Sequence, residues 1–469
     1  MAGATPIDLL VVTVDRRLLD QLIQLLVAPR SHGLKLLSCV QTWSTIGQQR
    51  TIVKHVRIRA AGNQPCWRAQ VSRGIDTHVD MPQTEDSFGQ ATRAAVLGGT
   101  TTLIDFVPPM APGQRLVEAV ENRIAAINAS AVIDVGVHPM LNRADDQVLT
   151  DIKTVIDLGC TSFKMFTTYP ENLVTDGDAW RLMRAISDHG GLPGFHAENH
   201  TILGEAQREL VDQGRTGIAD FAASRPALAE TTAINTLCLL AKELGSPIWI
   251  FHVSGAAALR AVTDARAIGV EAYAETCTHY LTFDDTVFTG PEPWRYVLSP
   301  PIRSRADQAM LWDGVANGTV QAVGSDHNAY SLTTKRPTAT DFRELPLGAP
   351  GVQIRTPMLW HQAVNVHGLS VGTFTEISAE RAARALGMFP RKGAIRVGSD
   401  ADLVLIDPTA SWQGTDLEPS VDNSFDPYAD EHGRGRPRHV LSRGHQIVRD
   451  GEFFAPQGGD RFLPRSPRS

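Results

Sequence analysis

From about residue 70 to 330 the chain repeats one pattern: a short apolar run, a polar end, then a stretch with helical periodicity. The runs end in "GIDTH" (74–78), "TTTLIDFVPP" (100–109), "AVIDVGVHP" (131–139), "TSFKMF" (161–166), "LPGFHAEN" (192–199), "PIWIFHVS" (247–254), "VEAYAETCTHY" (270–280) and "VQAVGSDH" (320–327). Between them lie amphipathic segments such as "RLVEAVENRIAAIN", where Leu116, Val117, Val120 and Ile124 recur at helical spacing. Eight strands alternating with helices predict a parallel sheet, and eight is the number that closes a (β/α)8 barrel. A doubly wound open sheet is the structural alternative.

The pattern changes on either side. After residue 330 come the Pro/Gly-rich "LPLGAPG" (345–351) and the helical "TEISAERAARALGM". "KGAIRVGSDADLVLIDP" then reads as two short alternating runs about a turn, and "VLSRGHQIVRDGEFF" (440–454) as a hairpin with Gly451 in a turn. The tail "QGGDRFLPRSPRS" is expected to be mobile or to wrap a neighbour. At the other end, "DLLVV" opens a strand, "DRRLLDQLIQLLV" (15–27) places Leu18, Leu19, Leu22 and Leu26 on one helical face, and "TIVKHVRIRA" alternates as a strand does. The expected division is 1–70, an atypical N-terminal part of a small β domain; 71–390, the barrel; and 391–469, the C-terminal part of the β domain with the tail.

Composition narrows the class. The 469 residues are 42% hydrophobic and 20% charged, an ordinary globular composition. A net charge of −7 argues against a nucleic-acid partner. The most basic stretch, "HGRGRPRH" (432–439), reads as a solvated loop. Five scattered cysteines with no Cys-x-x-Cys pair fit a reducing compartment and argue against a disulfide framework or a cysteine-built zinc site. The N-terminus lacks the features of a signal peptide, and no apolar run approaches the ~20 residues that span a bilayer. A cytoplasmic protein without a membrane partner is expected.

The candidate chemistry lies at the C-terminal ends of the strands, the rim on which barrels build active sites. His78, Lys164, His196, His252 and Asp326 each end a different strand; structural histidines would have no reason to prefer one end. Imidazoles and a carboxylate are ligands for a borderline divalent ion such as zinc. Lys164 stands inside the apolar run "SFKMF", where a bare ammonium is costly. A desolvated neutral amine can take up carbon dioxide to form a carbamate, an anionic two-oxygen ligand able to bridge two metals. Two ions about 3.5–4 Å apart make a hydroxide near neutral pH and polarise a carbonyl. The bland alternative is a salt-bridged or snorkelling lysine.

With these residues assembled, the chain resembles the cyclic amidohydrolases of the hydantoinase and dihydropyrimidinase group. "GGTTTLIDF", "TSFKMFTTYP", "FHAEN", "FHVSGAAAL", "AYAETCTHYL", "LSPPIR", "VGSDH" and "FPRKGAIRVGSDADLVLIDP" carry the resemblance in order, from about residue 74 to 463. It implies a metal-dependent (β/α)8 barrel with a flanking β-sandwich built from both chain ends. It implies two divalent ions of zinc type, Lys164 as the carboxylated bridging ligand, and His196 and His252 on the second metal. Asp326 would ligate the first metal and act as general base, then general acid. Tyr169 would hydrogen-bond the attacked carbonyl, and the main chain of Ser299 would hold the cyclic imide. The implied reaction opens a hydantoin or dihydropyrimidine ring to an N-carbamoyl amino acid, in a homo-oligomer (dimer or tetramer) whose partner is a small cyclic amide or ureide.

Three departures stand out. The group's first strand ends in His-x-His, whereas this chain reads "GIDTHVDMPQ" with His78 alone. Aligned on "GID", Asp80 replaces the second histidine; aligned on "DMP", Asp76 falls where the first should be. Residues 15–70 lack the usual strand and glycine-turn pattern, through divergence or a slipped reading frame, and Leu347 stands where the group usually has asparagine. The remaining alternatives are an allantoinase- or dihydroorotase-type activity, or a non-catalytic dihydropyrimidinase-like scaffold favoured by the incomplete first-strand motif.

Overall fold

The computed structural model describes residues 9–12, 34–38, 53–60, 70–79, 84–336, 341–421, 423–454, 459 and 461–468. Four strands, β1 (Leu9–Val12), β2 (Leu34–Ser38), β3 (Val53–Ala60) and β4 (Gln70–Ser72), precede the barrel. The "DLLVV" and "TIVKHVRIRA" strands are thus present. The expected helix at 15–27 lies outside the described residues, as does Asp80.

The eight apolar runs form eight parallel strands. These are β5 (Ile75–Val79), β6 (Thr102–Val107), β7 (Asp134–Pro139), β8 (Ser162–Phe166), β9 (Leu192–His196), β10 (Ile248–Ile250), β11 (Ala272–Cys277) and β12 (Val320–Gly324). β5, β6 and β7 pair in one run, and β8 to β12 in a second. Parallel bridges Met140↔Lys164 and Val79↔His327 join the runs on both sides. The sheet closes on itself, which excludes the open-sheet alternative. Almost every strand residue is buried, because helices cover the outside and side chains fill the inside.

Local sequence sets the helix boundaries between strands. Ser87 and Gln90 form a capping box on Phe88–Leu97, and Thr175 and Asp178 do so on Asp176–Ser187. Asp145 accepts the backbone N–H groups of Gln147 and Val148 to open Asp146–Asp157. In Leu116–Ser130, Leu116 and Val120 are buried, and Val117 and Ile124 pack partly buried against the same core.

Both chain ends build the second sheet. Strands β13 (Leu403–Gln413), β14 (His432–Ser442), β15 (His445–Arg449) and β16 (Glu452–Phe453) continue into β4, β1, β3 and β2 in one eight-stranded sheet. The hairpin over 440–454 is present, but the expected first run before "VGSDAD" is irregular, and pairing starts at Leu403. Lys392 ties this module to the barrel. Its buried ammonium pairs with Asp134 on β7, with Asp402, and with Asp400 at 2.9 Å.

Two expectations are corrected. "HGRGRPRH" is not a loop but the first part of β14, with period-two alternation: His432 and Arg434 are exposed, Gly433 and Gly435 buried. Gly435 has φ +103°, and a Cβ there would lie 1.8 Å from Trp360 Cδ1, so glycine lets the strand press on the indole. The tail, expected to be mobile or to wrap a neighbour, packs in its described residues on its own chain. It runs under its own barrel: Val135 N–H donates to Arg461 O, Leu463 N–H to Val135 O, Arg465 N–H to Gly159 O and Arg468 N–H to Gly190 O. Leu463 and Arg465 are buried there, so backbone pairing and side-chain burial both hold the segment.

Candidate active site

A cavity of about 260 Å³ opens at the C-terminal end of the barrel, and all seven residues singled out in the sequence line it: His78, Lys164, Tyr169, His196, His252, Ser299 and Asp326. Strand ends converge there because tilt brings eight successive rims round one axis. Three of the seven are backbone-strained. Tyr169 (φ 63°), His252 (φ 39°) and Asp326 (φ 50°) occupy left-handed conformations that non-glycine residues rarely adopt. Surrounding structure must over-determine such conformations, and they concentrate at functional sites.

The three imidazoles are each oriented. His78 sets Nδ1 against Glu275 Oε1 at 3.1 Å and turns Nε2 to Asp326 Oδ1 at 3.0 Å. Glu275 is itself held by Thr77 Oγ1–H (2.8 Å) and Trp249 Nε1–H (3.1 Å). Gly324 makes room for this pairing, since a Cβ there would lie 2.9 Å from Glu275 Oε1 and 3.2 Å from His78 Cβ. His196, which lines the cavity, places Nε2 2.7 Å from Glu198 Oε2. His252 Nε2 stands 3.4 Å from Lys164 Nζ. The His196 and His252 ring centroids are 4.5 Å apart, those of His78 and His252 5.2 Å.

Lys164 is 1% exposed, and its Nζ lies 3.9 Å from the Phe251 ring centroid, 4.9 Å from that of Phe106 and 5.1 Å from that of Phe166. It does not snorkel. Burial, then the charge of Lys164, pushes His78 and His252 well below the ordinary histidine range, and burial brings His196 down to about 4. All three are therefore neutral near pH 7, the form that ligates metal. Burial raises Asp326 to about 6, with Lys164 opposing. The donors present fit a divalent metal: three neutral imidazoles, two of them (His78 and His196) with one nitrogen on a buried carboxylate, a buried Nδ1 of His252 with no hydrogen-bond partner among the described residues, and the Asp326 carboxylate beside His78.

Asp76 is buried, and its Oδ1 accepts Ser325 N–H at 2.9 Å and His78 N–H at 3.3 Å. That ties β5 to the turn carrying Asp326. His78 makes the direct contact with Asp326 at this seam.

The substrate side of the cavity is a hydroxyl network. Tyr169 O–H donates to Ser299 Oγ at 2.7 Å, and Ser299 O–H donates to Glu198 Oε2 at 2.8 Å. Arg225 grips Glu198 through Nε (3.1 Å) and Nη2, and also reaches Tyr169 Oη at 3.4 Å. Burial opposes ionisation of Glu198, but Arg225 and the His196 hydrogen bond hold its carboxyl well below the usual range. Removing one partner from such a buried pair costs about 3–5 kcal/mol. Burial pushes the Tyr169 phenol up to about 12, so it remains a donor.

Sequence reasoning missed Glu198, Arg225, Glu275 and Lys335. A carboxylate two residues after a strand-end histidine was a readable signal for Glu198. Lys335 is buried and donates to Val297 O (2.7 Å), Pro346 O (2.8 Å) and Gly348 O (2.6 Å), pinning together segments that carry Ser299 and Leu347. Cys277, His279 and Asp326 also present ligand atoms within 4.8 Å of one another.

A barrel with imidazoles, a buried lysine and an aspartate on its rim is the architecture of a metal-dependent hydrolase. The amidohydrolase family matches residues 55–427. The chain is 36% identical over 404 residues to a D-hydantoinase of Ralstonia pickettii, covering 84% of this chain and 88% of that one. It is 34% identical over 404 residues to a D-hydantoinase of Geobacillus stearothermophilus, covering 84% and 86%. The crystal structure of a dihydropyrimidinase from Brevibacillus agri superposes with TM-score 0.81 at 32% identity, covering 89% of this chain and 95% of that one. This chain belongs to the amidohydrolase family, within its hydantoinase and dihydropyrimidinase group of cyclic amidohydrolases. That family implies a divalent-metal site.

Proposed function

We propose that the chain hydrolyses a cyclic amide, opening a hydantoin or dihydropyrimidine ring to an N-carbamoyl amino acid. The observation that carries this reading is the convergence of His78, Lys164, His196, His252 and Asp326 on one cavity walled by Tyr169 and Ser299. His78 and Asp326 would hold a first divalent ion, His196 and His252 a second, and Lys164, carboxylated at Nζ, would bridge them. Two ions of zinc type, when bound, supply Lewis acidity that makes water a nucleophile near pH 7 and polarises the ring carbonyl.

The chain's own groups do the rest. Asp326 accepts the proton of the attacking water. Tyr169 turns its O–H from Ser299 to the ring carbonyl and stabilises the oxyanion as it forms. Asp326 returns the proton to the ring nitrogen as the C–N bond breaks. The main chain at Ser299 holds the imide edge, and the Phe106 and Phe166 rings exclude water around Lys164. The enzyme is proposed to be cytoplasmic, which the free buried thiols of Cys160, Cys238 and Cys277 support, and to work as a dimer or tetramer.

The single first-strand histidine favours a second reading, a non-catalytic scaffold. The test is ring opening of dihydrouracil and a 5-substituted hydantoin by protein prepared with zinc and bicarbonate, with metal content measured in parallel. About two ions per chain and turnover of either ring support the enzyme. No bound metal and no turnover support the scaffold.

A further inference from the structure

We propose that Glu198, clamped by Arg225, is a positioning residue that couples the metal ligand His196 to the Tyr169–Ser299 hydroxyl pair on the substrate wall. The inference rests on the functional reading above and assigns the site a residue that reading does not use.

Glu198 has no exposed surface, and each of its hydrogen bonds leads somewhere functional. Oε2 lies 2.7 Å from His196 Nε2 and accepts Ser299 O–H at 2.8 Å; Oε1 accepts Arg225 Nε–H at 3.1 Å. The backbone is fixed as well, with Glu198 N–H donating to Thr167 Oγ1 at 2.9 Å and Thr167 O–H to Glu198 O at 2.9 Å. Arg225 is buried and pairs its guanidinium with this carboxylate through Nε and Nη2, so the carboxylate is the anionic partner of a two-point ion pair. An ionised carboxylate accepts and cannot donate. The His196 proton therefore resides on Nε2, and Nδ1 carries the lone pair. A partner that could donate to Nε2 would move the proton to Nδ1 and remove that lone pair from the metal side.

The second arm reaches substrate. Ser299 gives its single hydroxyl proton to Glu198, so toward Tyr169 its oxygen can only accept, and the carboxylate thereby sets the direction of both hydroxyls. One charge thus fixes the imidazole tautomer and the resting place of the phenol proton. Arg225 acts through Glu198 and through its 3.4 Å contact with Tyr169 Oη.

The experiment compares wild type, Glu198→Gln, Glu198→Gln/Arg225→Met and Ser299→Ala. The double variant relieves the unpaired guanidinium should the single variant fail to fold. Zinc affinity is read by chelator competition, fold by Tm, and turnover as separate kcat and KM. In Glu198→Gln, or in the double variant, one of the two ions loosens by about 10- to 100-fold while the other holds. Ser299→Ala keeps both ions and raises KM. Glu198 variants that bind both ions as wild type does, or Ser299→Ala with unchanged KM, overturn the proposal. A wild-type chain that takes up no zinc overturns the functional reading itself, and is told apart because the failure precedes any substitution.

Discussion

His78 Nε2 stands 3.0 Å from Asp326 Oδ1, across the seam where β12 meets β5. The two residues are 248 positions apart in sequence (326 − 78), yet the barrel's closure brings them into direct polar contact between the ends of its first and last strands. The one histidine kept in the first-strand motif is therefore in contact with this aspartate. Replacing Asp326 by Asn is expected to lower kcat by about 10²–10⁴-fold, the range for a general acid–base group. His78→Ala is expected to remove one of two ions. Metal content by mass spectrometry and initial rates check both.

Lys164 has rings at 3.9–5.1 Å and an imidazole at 3.4 Å. Lys164→Met preserves the apolar packing and deletes the amine. The fold is expected to survive, with Tm close to that of wild type, while zinc binding and turnover are lost. Metal-stripped wild type is expected to regain activity faster when zinc is supplied with bicarbonate than with zinc alone, as followed by the rate of activity recovery.

Metal removal also has a stability signature. A ligand that binds only the folded state at about 1,000 times its Kd adds about 4 kcal/mol. Chelation is expected to lower Tm in wild type, and to lower it less in His196→Ala and His252→Ala, which begin with weakened sites. Differential scanning calorimetry with and without chelator reads the difference. Equal Tm values in wild type would contradict metal binding.

Gly324 tests how closely the site is packed. In Gly324→Ala the new Cβ meets Glu275 Oε1 at 2.9 Å and pushes on His78. The expected cost is about 1–3 kcal/mol of stability, with a larger fall in activity than a substitution outside the cavity with the same ΔΔG. Urea unfolding paired with kinetics separates the two effects.

Lys335 links the substrate wall to pH. Burial pulls its ammonium from the ordinary 10.5 down to about 7. Between those values the unfolded chain binds more protons than the folded one, so this group makes stability rise with pH from about 7 to 10.5. Below pH 7 the burial cost is present in full. Lys335→Met is expected to flatten that slope. It also leaves the carbonyls of Val297, Pro346 and Gly348 without this donor and loosens the Ser299 and Leu347 segments, raising KM. Urea titrations at several pH values and a KM measurement check the two halves.

The amino-acid sequence by itself determined the barrel and named seven residues that line its cavity. Apolar runs ending in His78, Lys164, His196, His252 and Asp326 are local patterns, and the alternation of strand and helix leaves few ways to bury them. Local patterns could not say which nitrogen of His78 is taken up, because Glu275 decides that across 197 positions in the chain. They could not place Arg225 between Glu198 and Tyr169, show that Lys335 draws two loops together, or tell that residues 461–468 run beneath the barrel instead of outward. They also misread "HGRGRPRH", whose glycines make sense only against Trp360 and Trp412. In each case the deciding energy is a contact between segments remote in sequence or a burial that composition does not reveal. Such terms exist only once the chain has closed on itself.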